Sequence, residues 1–121
     1  FYWPMTDKIQ FFAYSPITVT NYTVPDKGYP SFSYVIKAVE LQEDLLAAKV
    51  ENANKTENKT SVNLAFKHIL TQINFSAELE SGVTYTVTKI EIMDVNNTGT
   101  FTYGTGDVVG AWSSLSRLCC V

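Results

Sequence analysis

Cysteine is nearly absent: Cys119 and Cys120 are the only two, adjacent and at the end of a 121-residue chain. A disulfide between neighbours is a strained ring, and the spacing is not that of a metal site, so neither a disulfide framework nor a cysteine-built metal centre organises the body of the fold. A body without cysteine fits bacterial export as well as cytoplasm. Histidine occurs once, at His68. Charged residues make up 17% of the chain, against about 25% in average globular proteins. The nine Lys and Arg are scattered and the formal net charge is −3, which excludes nucleic acid and a polybasic membrane patch as partners. No apolar run approaches the roughly 20 residues of a membrane-crossing helix, and no basic start followed by an apolar core marks a signal peptide.

What is abundant is Thr, Asn, Ser, Tyr and Phe, the composition of β structure. The length suits one domain with one core. The pattern turns on the stretch from Val62 to Phe75. Val62, Leu64 and Phe66 alternate with Ser61, Asn63 and Lys67, the period of a half-buried strand. Alternation resumes at Ile73, Phe75, Ala77 and Leu79, but on odd instead of even positions. The spacing of Phe66, Ile69 or Leu70, and Ile73 is helical, so a single apolar helical turn is expected to carry the chain from one sheet to another. The core is expected around Phe11, Phe66, His68, Leu70, Ile73 and Phe75, and truncating a fully buried Phe66 to Ala would cost about 3–5 kcal/mol.

The remaining elements follow from punctuation. An aromatic cluster, Phe1-Tyr2-Trp3-Pro4, is too apolar for a solvated terminus and should pack against something. Residues 8–14 read as a central strand ended by Ser15-Pro16, residues 17–24 as a Thr-rich strand closed by Pro25-Asp26-Lys27-Gly28, and residues 31–39 as a further strand. Residues 41–49 hold the strong helix formers without an N-cap, which leaves a short helix and irregular extended chain as equal readings. Residues 51–60 contain no large apolar side chain and read as a mobile loop tip. Ser81-Gly82 turns the chain into a long strand over 83–95 with a bulge near Thr88-Lys89. Asn96-Asn97-Thr98-Gly99 reads as a hairpin loop before a strand over 100–103, and Gly104-Thr105-Gly106-Asp107 as a turn before a strand over 108–112. About seven strands and almost no helix predict an all-β, two-sheet β-sandwich.

Chemistry-bearing constellations are thin. His68 has no clustered metal partners, and its ring is expected to bond a backbone carbonyl. Glu78 and Glu80 share a strand face, where a paired acid–base site is geometrically possible but a solvated row is the plainer reading. Gly104-Thr105-Gly106 lacks the helix and Lys of a phosphate loop. No set of acid, base, nucleophile and oxyanion donor can be assembled, so no catalytic, cofactor or metal residue is assigned and the chain is read as non-enzymatic. Of the aromatics, Trp3, Tyr29, Tyr103 and Trp112 are those a sugar-binding platform would use, which makes a carbohydrate-binding β-sandwich module the alternative function. Asn-x-Ser/Thr triplets stand at Asn21, Asn54, Asn58, Asn74 and Asn96, a pattern that arises by chance in a Thr- and Asn-rich chain.

Four segments in order carry a resemblance: Tyr2-Trp3-Pro4, Ile9-Gln10-Phe11-Phe12-Ala13-Tyr14-Ser15-Pro16, Gln42-Glu43-Asp44-Leu45-Leu46-Ala47-Ala48, and Leu64-Ala65-Phe66-Lys67-His68-Ile69-Leu70-Thr71-Gln72-Ile73. Together they resemble the fimbrillin-like family of Bacteroidales surface proteins, with Phe66-Lys67-His68-Ile69-Leu70 the most specific piece. The resemblance implies a transthyretin-like, Greek-key sandwich, the N-terminal domain of a major or minor fimbrial subunit or anchor protein. It implies export as a lipoprotein to the cell surface or outer membrane, and assembly with other fimbrial subunits, or with itself, by β-strand addition. Adhesion to a host protein or glycan belongs to the same implication. Relatives carry a lipid-attachment cysteine and further strands ahead of the Tyr-Trp-Pro motif and a second domain afterwards. Residues 1–121 are therefore expected to be a single first domain incomplete at its front, or a shortened homologue, and a missing strand would leave an unpaired sheet edge.

Overall fold

The computed structural model describes residues 3–4, 6–57 and 61–117. Phe1-Tyr2, the Asn58 triplet with the rest of the loop tip at 58–60, and Cys119-Cys120 lie outside the described residues. The described chain is all-β, with strands β1 (Ile9–Ser15), β2 (Thr20–Thr23), β3 (Ser31–Val35), β4 (Leu46–Ala53), β5 (Lys67–His68), β6 (Thr98–Tyr103) and β7 (Gly110–Ser116). The one helical element among the described residues is a 3₁₀ turn at Val39–Leu41. Two antiparallel sheets form, one in the order β1-β4-β5 and the other β2-β3-β6-β7.

The core is built where the two-residue period of three strands converges. Phe32 and Tyr34 of β3, Phe101 and Tyr103 of β6, and Leu45 and Ala47 at the head of β4 all point inward. Phe32 stacks on Phe101 with ring centroids 5.2 Å apart, Phe12 meets Tyr103 edge-on at 5.1 Å, and Trp112 meets Phe101 at 5.4 Å. Such tilted and edge-on pairs add roughly 0.5–1.5 kcal/mol each beyond the area they bury. Side chains of the larger sheet also bond backbone carbonyls of the smaller one and its continuation. The Tyr103 hydroxyl donates to the Ala13 carbonyl at 2.7 Å, and the Trp112 indole N–H donates to the Ile69 carbonyl at 2.7 Å.

Several expectations hold in position. The first strand, the third strand's start at Ser31 and the turn at 105–107 fall where the sequence places them. Trp3 packs on Phe11 at 6.0 Å. The second strand shortens to four residues. Residues 46–53, half of which carry the strong helix formers, are a strand and not a helix: β4 lies between β1 and β5, and the backbone groups of the segment join two ladders. Ala47 and Ala48 are both fully buried, so tertiary burial on two faces overrides helix propensity. Asn97 is not a loop tip, since its carbonyl accepts from Ile36 at 2.8 Å and its amide donates to Ser116 at 3.1 Å.

The junction differs most. No helical turn forms between Phe66 and Ile73, because Lys67 pairs with Ala47 and His68 with Leu46 in an extended ladder. Of the six expected core residues, Leu70 packs against the core margin and Phe11 is half-buried. Phe66, Ile73 and Phe75 are 46%, 54% and 56% exposed, and His68 is exposed as well. For Ile73 and Phe75 the reason is that residues 73–80 and 83–95, strand-like in pattern, have no neighbouring strand among the described residues and enter neither sheet; His68 lies on β5, the edge strand of the smaller sheet, and Phe66 directly precedes it.

Candidate functional site

His68 is the first residue to place, because a cleft around it would argue for catalysis. Its Nδ1 lies 2.7 Å from Asp44 Oδ2, so its partner is a carboxylate and not the expected backbone carbonyl. Both side chains are more than half exposed, and the pair clips the short edge strand β5 to the segment entering β4. Among the described residues no nucleophile completes the arrangement. Ser15 shares the cross-strand row Ser15–Leu46–His68, but it stands two strands away, about 9–10 Å at ordinary strand spacing.

The other carboxylates are dispersed. Glu43 is bonded by Lys37, which holds its carboxyl below the usual range; Glu91 pairs with Lys89 at 2.6 Å; Asp94 pairs with Arg117. Glu78 and Glu80 are exposed. No group of three His, Cys, Asp or Glu side chains suited to a metal occurs among the described residues.

A denser polar cluster joins β4 to the β6–β7 turn. The Tyr29 hydroxyl donates to Glu51 Oε1 at 2.7 Å, the Gly106 amide donates to Oε2 at 3.1 Å, and Lys49 lies 3.5 Å from the same oxygen. Lys49, whose side chain is 6% exposed, also donates to the Gly104 carbonyl and sits 5.9 Å from the Tyr29 ring centroid. The Tyr29 hydrogen bond, with lesser help from the Gly106 amide and Lys49, holds the Glu51 carboxyl below its ordinary value against the opposing effect of burial. The same bond pushes the Tyr29 hydroxyl up. The Tyr29 hydroxyl, both Glu51 oxygens and the Lys49 ammonium all bond other protein groups, so the cluster acts as a latch on the turn.

The aromatics of the sugar-platform reading are engaged elsewhere. Tyr103 is 2% exposed and Trp112 packs on the core, while Tyr29 belongs to the latch and Trp3 lies on Phe11. A depression lined by Thr18, Thr20 and residues 34–37 has one charged group in its lining, Lys37, and that ammonium is taken up by Glu43, which also accepts from the Thr18 hydroxyl. Asn21, Asn74 and Asn96 are exposed, and Asn74 lies outside any strand.

What remains is the stretch 71–96, exposed at every position. It leaves the sandwich at Ile69, whose carbonyl Trp112 holds, and returns at Asn97, whose amide is held by Ser116 of the same strand. Between these anchors lie Ile73, Phe75, Leu79, Tyr85, Val87 and Ile90, each more than half exposed. Large apolar side chains exposed in such number along one stretch are unusual for a free surface. The signal for it was present in the sequence as alternation; what alternation does not reveal is whether a partner strand exists.

A family profile described as fimbrillin-like matches residues 1–116. Neither characterised proteins nor solved structures give a significant match.

Proposed function

The chain belongs to the fimbrillin-like family, and from that premise we propose that it is a non-enzymatic β-sandwich building block of a bacterial surface fimbria, joined to its neighbours by strand addition. Membership supports a fimbrial subunit role in general, in a cell-surface appendage and in association with other subunits. Strand addition is the finer reading. The observation that carries it is the exposed stretch 71–96: a sequence with the alternation of two strands, held at both roots on β7, that joins neither sheet among the described residues. Unpaired strand backbone beside apolar side chains is a template for another chain.

The test is assembly of the purified chain with other fimbrial subunits, followed by amide hydrogen exchange. Slowed exchange across 71–96 on assembly is the expected result. Assembly that leaves those amides unprotected refutes strand addition at this stretch. Outer-membrane anchoring through a lipid and adhesion to a host protein or glycan belong to the same proposal, tested by labelling cells with a lipid analogue and by binding to host surfaces.

A further inference from the structure

We propose that residues 73–80 dock an extended segment of another subunit whose outward face carries Lys or Arg; this rests on the strand-addition reading and narrows it to one stretch and one partner chemistry. The stretch has two distinct faces. Ile73, Phe75, Ala77 and Leu79 lie on one, Asn74, Ser76, Glu78 and Glu80 on the other. Among the described residues no backbone hydrogen bond reaches positions 73–79, and neither carboxylate has a cationic partner.

The following limb cannot serve as that partner. The two limbs meet in a turn in which the Val83 amide donates to the Glu80 carbonyl at 3.3 Å and the positive φ, +88°, falls on Gly82. This is the type II arrangement, which splays flanking strands. Its register would also set Leu79 opposite Thr84, Ala77 opposite Thr86 and Phe75 opposite Thr88. The apolar row Val83, Tyr85 and Val87 would then face away from the apolar row of the first limb, and a register error of one residue inverts every side chain.

A second copy of the same stretch is also a poor fit, because residues 73–80 contain no Lys or Arg to set against Glu78 and Glu80. In one antiparallel register the two acids face each other. The other acids of the arm are already engaged, Glu91 with Lys89 and Asp94 with Arg117. Cross-strand pairs of opposite charge stabilise a ladder and like charges oppose it, so a partner strand with basic residues opposite Glu78 and Glu80 is selected over a neutral or acidic one.

Two synthetic strand peptides of alternating Val and Thr test this, one with two Lys and the other with two Glu on the Thr face. The expected result is that the Lys peptide slows amide exchange at 73–80 and binds about tenfold more tightly than the Glu peptide. Glu78→Lys/Glu80→Lys reverses that order without moving the urea midpoint, since both side chains are exposed. If both peptides bind equally and protect the stretch, charge selection is wrong while strand addition stands. If neither protects it, both fail. Dimers of the chain alone that protect 73–80 would assign the stretch to a second copy and overturn the proposal.

Discussion

Tyr103→Phe tests the account of how the two sheets are held together. The phenol ring is 2% exposed and touches Phe12, Phe32 and Phe101. Removing the oxygen alone leaves that packing intact. What is lost is the 2.7 Å bond to the Ala13 carbonyl, leaving an acceptor inside the sandwich without this donor. An ordinary hydrogen bond contributes about 1 kcal/mol net, and a stranded buried group adds to the loss, so the expected destabilisation is about 1–2 kcal/mol. In urea that moves the midpoint down by roughly 1 M for a slope near 1.5 kcal/mol/M. Trp112 fluorescence is a suitable probe, because its indole is packed on Phe101 and bonded to the Ile69 carbonyl beside the smaller sheet.

The same substitution has a second signature at alkaline pH. Burial, with smaller contributions from Tyr22 and Tyr14, pushes the Tyr103 hydroxyl above its ordinary value of 10.0. A group raised in the folded state contributes stability that is fully present below its unfolded value and is lost as pH rises from there through the folded value. Above pH 10 the unfolded wild type ionises at this position while the folded protein does not. The phenyl ring of the variant has nothing to ionise. The gap between wild type and variant should therefore be largest near neutrality and shrink as pH passes 10. An unchanged urea midpoint at neutral pH, or a gap that stays constant beyond pH 10, refutes the burial and bonding assigned to Tyr103.

Three further outcomes follow from other parts of the fold. Glu51, held low chiefly by Tyr29, contributes stability above the ordinary carboxylate value of 4.5 that is lost as pH falls from there through its lowered folded value; in acid titrations by circular dichroism, Glu51→Gln should flatten that part of the curve, and an identical curve would sink the latch. Phe101→Ala, in the closed core, should cost about 3–5 kcal/mol, whereas Phe66→Ala should cost well under half as much because Phe66 is 46% exposed; paired urea curves showing equal losses would contradict the burial. Gly110→Ala places a Cβ against the Phe101 ring and the Thr102 carbonyl, so β6 or β7 must shift, and a melting temperature within a degree of wild type would show that this close approach is absent.

The sequence makes the sheet-forming parts legible where a strand finds its partner nearby or carries large alternating side chains. Phe32 and Tyr34, Phe101 and Tyr103 are such pairs, and the turn Gly104-Thr105-Gly106-Asp107 that follows β6 is marked by glycine. β4 is illegible for a physical reason. Leu45-Leu46-Ala47-Ala48-Lys49 has the residues of a helix, and only a slot with strands on either side and Ala47 and Ala48 fully covered makes extended chain the better state. Local preference of a few tenths of a kcal/mol per residue does not compete with that burial. The polar cluster at Glu51 was equally hidden, since nothing in the spacing of Tyr29, Lys49, Glu51 and Gly106 announces that they meet.

The stretch 71–96 fails in the opposite way: its periodicity is that of strands and its structure is not. Alternation reports which side chains a segment would bury if it were paired; it does not supply the pairing, and a strand without a neighbour satisfies neither its backbone nor its apolar face. In most proteins such a mismatch would count against the sequence reading. Here the mismatch is confined to one stretch, bounded at Ile69 and Asn97 by two hydrogen bonds to β7, while the sandwich below it closes around its own core. On the strand-addition proposal, a segment that carries strand information and is unpaired among the described residues finds its complement in another chain, and the exposed acids Glu78 and Glu80 are the feature that proposal uses to choose it.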